Sequence, residues 1–478
     1  MAVWAVAPVI YNSTLGTWEK APITLTAAQK AEMRTFLDQM FLVNGTDSNY
    51  SFDGSTWSST RNLSDSPIGM FIERYNVRLY LLDVKIRGTR YASRVWFSDL
   101  PKNNQITWGL ETGTDLVQTI SSAVVTSAGS LFKTRNIKVG DPFTIETGTN
   151  AGEYVVQSID SEIQITLTTT VAASATGSSF WVGGNYFDVD TDDGDTGKGF
   201  GKNSNELLVF KRNSLWRFNH KAQEQRQIKG AVGTTARRSI INLGDYTYYY
   251  HPTGVYRTAG TNSVLISNAI EDLIEGVTAA NQTEIVAWVE DENDVCMYLG
   301  DITLRNGDTI SNCVIAFDTN NETWSPRSYP FTIRAATVWL ESNIPSVYVG
   351  DDASHVNKLN TGNAFGSNDI PFSVEKTVFP AGTNAICTFD RYRVTVENGP
   401  DLTFVYKLIH IPTNTEDRWI SDLDWHPMRG TSDGSRSEFH FDLNHNRANG
   451  VTIKAIESSK SAGLLIEKGT LYYSNEAD

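Results

Sequence analysis

The stretch "AFDTNNETWSPRSY" (residues 316–329) reads as a strand ending in Phe-Asp, a tight polar turn, and a Trp that opens the next strand. A second stretch far away, "YSFDGSTWSS" (residues 50–59), follows the same plan. Both have the form of a hairpin closed by a short Gly/Asn loop. Looser echoes recur in "LLVFKRNSLWRFN" (207–219), "YYYHPTGVYRTAG" (248–260) and "VYVGDDASHVNKLN" (347–360), each strand, turn, strand. One small antiparallel unit, used repeatedly, is the simplest reading.

Composition sets the scale of that repeat. At 478 residues the chain exceeds the size at which a single core usually stops growing, so several units are expected. The 12 Trp, 19 Tyr and 21 Phe, with abundant Thr and Val, favour pleated, half-buried surfaces, whereas blocks rich in Ala, Leu, Glu and Lys are scarce. The chain therefore reads as nearly all-β. Three cysteines, Cys296, Cys313 and Cys387, form neither a disulfide framework nor a zinc spacing,. The N-terminal "MAVWAVAPVIYN" lacks a basic region before its apolar residues, and no run approaches the length of a membrane span, so a soluble protein is expected. The formal net charge of −15 argues against a surface that grips nucleic acid throughout, because such a surface needs clustered Lys and Arg. It leaves room for a wall past which a polyanion slides.

Along the chain, "LTAAQKAEMRTFLDQMF" (25–41) has helical spacing of Met33, Phe36, Leu37 and Met40 after a capping Thr26, which predicts an N-terminal arm and helix over residues 1–40. From residue 41 to about 365 short strands are punctuated by Asn, Gly, Asp and Pro. At about 40–45 residues per four-stranded blade this allows six or seven blades of a β-propeller. Residues 123–184 shift to Thr, Ser, Val and Ile with alternating strands, and read as a small β-barrel or sandwich that interrupts the propeller between residues 122 and 185,. Residues 366–478 carry longer alternating strands, a separate C-terminal β-domain.

The run 203–276 resembles the tail nozzle proteins of short-tailed bacteriophages, also called packaged-DNA stabilisation proteins. The likeness rests on Gly233-Thr234, the aromatic strand Tyr248 to Pro252, and Ile266-Ser267 followed by Ile270 to Ile274. The end of the chain, "GVTIKAIESSKSAGLLIEKGTLYY" (450–473), is similar to that family's closing strands. The resemblance implies a virion tail component assembled in the host cytoplasm as a closed ring, of six copies by analogy. It also implies neighbours: a portal adaptor, tail fibre or tailspike proteins, and viral genomic DNA in passing during ejection.

"SFDGSTW" and "FDTNNETW" approach the Ser-x-Asp-x-Gly-x-Thr-Trp box of sialidase-type propellers but miss its register; true copies shape hairpins rather than catalyse. The acidic run "YFDVDTDDGDTGKGFGKN" (186–203) offers Asp188, Asp190 and Asp192 as candidate metal ligands, since alternating carboxylates on a loop suit Ca²⁺. Its register fails as an EF-hand, and a solvated connector is the plainer reading. Within it, "GKGFGK" lacks the ending of a phosphate-binding P-loop,. His220, His251, His355, His410, His426, His440 and His445 show no ligand spacing. No nucleophile elbow and no Arg cluster able to clamp an acidic sugar is evident along the sequence. "ARR" (236–238) is a small basic spot, which makes Arg237 and Arg238 candidates to face DNA or an acidic partner. No cofactor is called for. The sequence is thus read as a non-enzymatic tail protein. A receptor- or glycan-binding tail protein and a glycan-cleaving propeller enzyme remain as alternatives; the latter needs carboxylates clustered at the propeller's centre.

Overall fold

In a computed structural model, the chain divides into two compact units, residues 1–359 and 360–478. The structure describes residues 9–12, 17–26, 30–203, 206–222, 224–305, 307–341, 344–353 and 355–359 of the first, and the strand segments of the second.

The first unit is a six-bladed β-propeller. Blade 1 comprises Glu32–Phe36, Gln39–Val43, Tyr50–Phe52 and Trp57–Ser58. Blade 2 comprises Ile68–Tyr75, Arg78–Ile86, Thr89–Phe97 and Tyr186–Asp188. Blade 3 (Gly197–Lys202, Leu207–Lys211, Leu215–Asn219, Glu224–Gln227) and blade 4 (Ile241–Leu243, Tyr246–His251, Gly254–Thr258, Ser263–Leu265) follow. Blade 5 is Val286–Glu290, Asp294–Thr303, Thr309–Asp318 and Thr323–Ser328. Blade 6 has three described strands, Ile333–Glu341, Ile344–Asp351 and Val356–Lys358. Every blade is antiparallel, and from blade 1 through blade 6 the first strand of one meets the first strand of the next. The first strand therefore faces the propeller's axis.

The two Phe-Asp…Trp stretches turn out to be the same element. Both join the third and fourth strands of a blade, in blade 1 and in blade 5, with Phe52 paired to Trp57 and Phe317 to Trp324. The aromatic pairs lie 5.1 and 4.8 Å apart between ring centroids. In the first turn the Asp53 carboxylate accepts the backbone N–H groups of Ser55 and Thr56 at 3.0 and 2.8 Å. These bonds, Thr56's first, hold its pKa well below the usual carboxylate range,. Asp318 does the same work on Asn320 N at 2.8 Å. Both aspartates are turn-makers. The looser echoes are the second-to-third-strand hairpins of blades 3, 4 and 6.

The predicted helix over residues 25–41 is corrected. Residues 32–43 form the first hairpin of blade 1, with Glu32 paired to Val43 and Phe36 to Gln39. Leu37 and Asp38 make its turn at φ 52° and 55°, the left-handed pair of a type I′ connection. Phe36, Phe41 and Val43 reach the core while Met33 stays 44% exposed. The apolar residues thus serve a sheet face, and their helical spacing is a coincidence of the two-residue turn. Thr26 caps no helix; its N–H and Oγ1 bond Asp47 at 2.7 and 2.6 Å. Residues 27–29, within that reading, lie outside the described residues.

A closed six-stranded barrel is inserted between the third and fourth strands of blade 2. Its strands are Glu111–Gln118, Val124–Thr126, Pro142–Ile145, Gly152–Ile159, Gln164–Leu167 and Ala175–Val182, so it begins upstream of residue 123. Phe132, Phe143, Phe180 and Val182 centre its core. The barrel is set into the blade rather than hung from it. Trp181, on its last strand, belongs to the core of blades 1 and 2 with Trp96 and Trp108. The chain leaves and returns through Gly109 and Gly183, where a Cβ on Gly183 would stand 2.1 Å from the Gly109 carbonyl oxygen. Only glycine admits that approach.

The second unit pairs long antiparallel strands. Cys387–Glu397 lies between Ser437–Ala448 and Leu465–Asn475. Gly450–Glu457 lies between Phe372–Val378 and Thr403–His410. Among the described residues no helix is long and apolar enough to cross a membrane.

Candidate functional site at the propeller axis

Because each blade turns its first strand to the axis, side chains widely separated in sequence converge there. The segment before blade 1 supplies Lys30 and blade 1 Glu32 and Arg34; blade 2 supplies Glu73; blade 3 Lys202; the segment before blade 4 Arg237 and Arg238; the segment before blade 5 Glu284; blade 6 Arg334. Six basic groups thus meet three carboxylates, in a chain whose overall charge is −15. The cluster is the electrostatic opposite of the rest of the molecule.

Its contacts bridge blades. Lys30 Nζ lies 2.5 Å from both carboxylate oxygens of Glu284, and Arg334 Nη1 approaches the same carboxylate at 3.9 Å. The buried Glu73 takes Arg34 Nε at 2.9 Å and Lys202 Nζ at 3.0 Å, joining blades 1, 2 and 3. Arg238 donates Nη1 to the backbone carbonyl of Arg334. Glu32 Oε2 accepts the Ile72 N–H at 3.3 Å. Burial raises the pKa of Glu32 against the opposing pull of Arg237 and Arg34. Burial lowers Arg237 and Arg238, and for Arg238 the repulsion of Arg237 adds to it. Lys30 is lowered by burial first, despite Glu284. Loss of hydration on burial is the first cause of all four shifts,. Beside Glu284 and Arg334 opens a polar pocket of about 160 Å³, also lined by Asn281, Tyr298, Asp301 and Asn312.

Of the residues singled out in the sequence, Arg237 and Arg238 are in this cluster. The Arg cluster not evident along the chain is assembled here, from positions scattered between residues 34 and 334. Only the blade repeat could have hinted at it, through the rule that a blade's first strand faces the axis.

The acidic run lies elsewhere, at the outer strand of blade 2 and the connection to blade 3. Asp188 is held bidentately by Arg94, Nε to Oδ1 at 2.7 Å and Nη2 to Oδ2 at 2.8 Å. Asp190 turns its backbone carbonyl inward. Lys211, whose side chain is fully buried, places Nζ 2.7 Å from that carbonyl, 3.1 Å from the carbonyl of Val189 and 2.5 Å from Asp193 Oδ1. The loop therefore wraps an ammonium ion supplied by the chain itself. Asp195 ties the loop to the next turn through Arg212 N and Asn213 N, at 3.2 and 2.7 Å. The side chain of Asp192 lies outside the described residues, and among the described ones no group of three metal-type ligands occurs. His220 bonds Tyr80 OH through Nδ1 at 2.8 Å in an aromatic nest with Phe97. Cys296 and Cys313 are buried, and burial pushes the Cys313 thiol up to about 12.

These features define a class, a six-bladed β-propeller with a barrel inlaid in one blade and a cationic axis. No family model matches the chain, and no curated protein does. Among solved structures it is similar to the phage phi92 endosialidase, at 10% identity over 88% of this chain and 64% of that one, with a TM-score of 0.21. It is also similar to the extracellular domain of a one-component system from B. thetaiotaomicron (10% identity, 92% of this chain and 88% of that one, TM-score 0.17). A third is dipeptidyl peptidase 4 of Porphyromonas gingivalis (11% identity, 73% and 55%, TM-score 0.26). The chain spans less than two thirds of the endosialidase and of the peptidase. Likenesses this distant say nothing of activity; the architecture stands on the strand pairing.

Proposed function

We propose that this propeller is a structural component of a bacteriophage tail, a nozzle or tail-tube ring that forms part of the DNA exit channel and retains packaged DNA. The reading is carried by the way the axial charges are used. Lys30 with Glu284 ties blade 1 to blade 5, Arg34 and Lys202 on Glu73 tie blades 1, 2 and 3, and Arg238 on the Arg334 carbonyl ties blade 4 to blade 6. Such bonds across the axis, with Trp181 locking the barrel into the same core, make a stiff block. Stiff blocks with loops on two faces suit a ring wall, in which repeated heterologous contacts close when the rotation permits. The sequence resemblance to nozzle proteins supplies the rest of the proposal: about six copies, contacts with a portal adaptor and with tail fibres or tailspikes, transient contact with the genome, and a place in the virion tail after assembly in the host cytoplasm. Cryo-EM of assembled tails tests it. A closed ring of this chain around an open channel is expected, and only monomers there would overturn it.

A further inference from the structure

Blade 6 ends on an open edge. The five blades before it have four strands each, whereas among the described strands its third, Val356–Lys358, pairs only with Ile344–Asp351. The backbone bonds show which groups look outward. Asp351 N bonds His355 O at 3.1 Å and Leu359 N bonds Val347 O at 2.9 Å, so Asn357, midway between them, also turns its N–H and C=O towards the blade, and Val356 turns its own away, by the alternation of an antiparallel ladder. The Val356 side chain is exposed. An unpaired edge of this kind is a template for a further strand.

The chain also carries a spare strand pair. Val9–Asn12 and Thr17–Lys20 pair with each other, Val9 with Lys20 and Asn12 with Thr17, and with no other described strand. A lone two-stranded hairpin is marginally stable in water and needs a further strand to pack with. Its base is fixed, since Ala21 and Leu25 are buried and Thr26 is bonded to Asp47. We infer that this hairpin is an exchanged arm, which adds a strand to the open edge of blade 6 in a second copy of the chain. Hairpin and edge are both present in one chain and do not pair there, which favours exchange between copies. Blade 6 carries a second mark of a neighbour, because the far end of its first hairpin leaves Trp339, Leu340 and Ile344 each 64–66% exposed. Trp339 stands opposite Ser346 and Leu340 opposite Pro345, so the two point to opposite faces of the hairpin and water meets apolar surface on both. Such surface marks a protein contact; lipid would cover it but leave the open strand edges without hydrogen-bond partners. The inference rests on the ring reading only in requiring a second copy.

Replacing Ile10 and Trp18 together by proline breaks the arm and leaves blade 6 intact. In sedimentation velocity at rising concentration the wild-type chain should self-associate, and the double variant should stay a monomer. That variant should still bind a labelled synthetic peptide of residues 9–20 in fluorescence anisotropy, and a scrambled peptide of the same composition should not bind. Adding Val356→Pro should weaken the peptide about tenfold or more, since proline removes the outward N–H without touching a bond of the blade, whereas Val356→Thr should leave the affinity unchanged. A double variant that associates as the wild type does refutes the arm and leaves the ring reading standing. So does a peptide that fails to bind, or that binds equally well with Val356→Pro. Peptide binding beside a wild-type chain that is monomeric at every concentration would put the arm on its own blade 6 and overturn the exchange. Should Val356→Pro not fold, the double variant decides alone: it must lose self-association and keep the peptide.

Discussion

Replacing Lys211 by Met tests whether a lysine has taken the place of a metal in the acidic loop. Methionine keeps the length of the stem and its packing but removes the ammonium. The two carbonyls of Val189 and Asp190 and the Asp193 carboxylate then lose their common donor. Breaking a buried pair by deleting one partner costs about 3–5 kcal/mol. Asp193 keeps 26% of its side-chain surface accessible, so water can rescue part of its charge, and the lower end, about 3 kcal/mol, is expected. At roughly 2–4 °C per kcal/mol for domains of 150–250 residues, and less for a larger unit, the first-unit transition in scanning calorimetry should fall by about 5 °C. D193N, which retains an oxygen acceptor, should lose about 1 kcal/mol. Millimolar Ca²⁺ should leave the wild-type transition in place, because its oxygens already surround a cation. A K211M protein within about 1 kcal/mol of wild type, or a wild-type transition raised by Ca²⁺, would refute the assignment.

Asp38→Gly should stabilise the first hairpin by about 1 kcal/mol in urea titrations, since glycine adopts the observed φ of 55° without strain,; a loss would mean that the turn is not left-handed. Trp181→Ala should cost about 3–5 kcal/mol and broaden or split the calorimetric transition, because one side chain serves both barrel and blades; a loss confined to the barrel would place Trp181 outside the shared core. Burial first and Arg78 second hold His220 down to about 4. Its unfolded form takes up a proton near 6.5, so acidification from about 6.5 to 4 should destabilise the wild type more than H220Q, and parallel pH profiles would contradict this. Duplex DNA should bind the assembled ring no tighter than the nonspecific range of about 10⁻⁴ to 10⁻⁶ M at roughly 150 mM salt; submicromolar affinity with a steep salt slope would favour a clamp over a sliding wall.

The blade hairpins were legible because their signal is local. Asp53 and Asp318 fold the turn that carries them, and the Phe just before each pairs with a Trp across it. The inserted barrel showed through its change of composition, though its first strand, Glu111–Gln118, did not, since it continues the alternation of the blade before it. Residues 25–41 misled because Leu37, not a usual left-handed residue, opens the turn before Asp38; without Asn-Gly or Asp-Gly the hairpin lacks its usual mark. The axial site was invisible for a different reason. Glu73 meets Arg34 and Lys202, 39 and 129 positions away, and no spacing rule spans such distances. In the acidic run the carboxylates could be read but not their partners, because Arg94 and Lys211 approach from neighbouring strands.

The placement of the barrel bears on how the chain finds its fold. Tyr186 must pair with Trp96 to finish blade 2, which means closing a loop of roughly 90 residues. Within that loop Glu111 pairs with Val182, and the barrel's strand pairings all lie between those two residues. Once it has formed, its ends are side by side, and the search that remains spans only about 20 flexible residues. Loop-closure entropy grows as (3/2)RT ln n, so the barrel lowers the cost of the final pairing by about 1.3 kcal/mol. It acts as an internal clasp, converting the longest-range strand pairing of the blade into a nearly local one, and the blade should complete only after the barrel has folded.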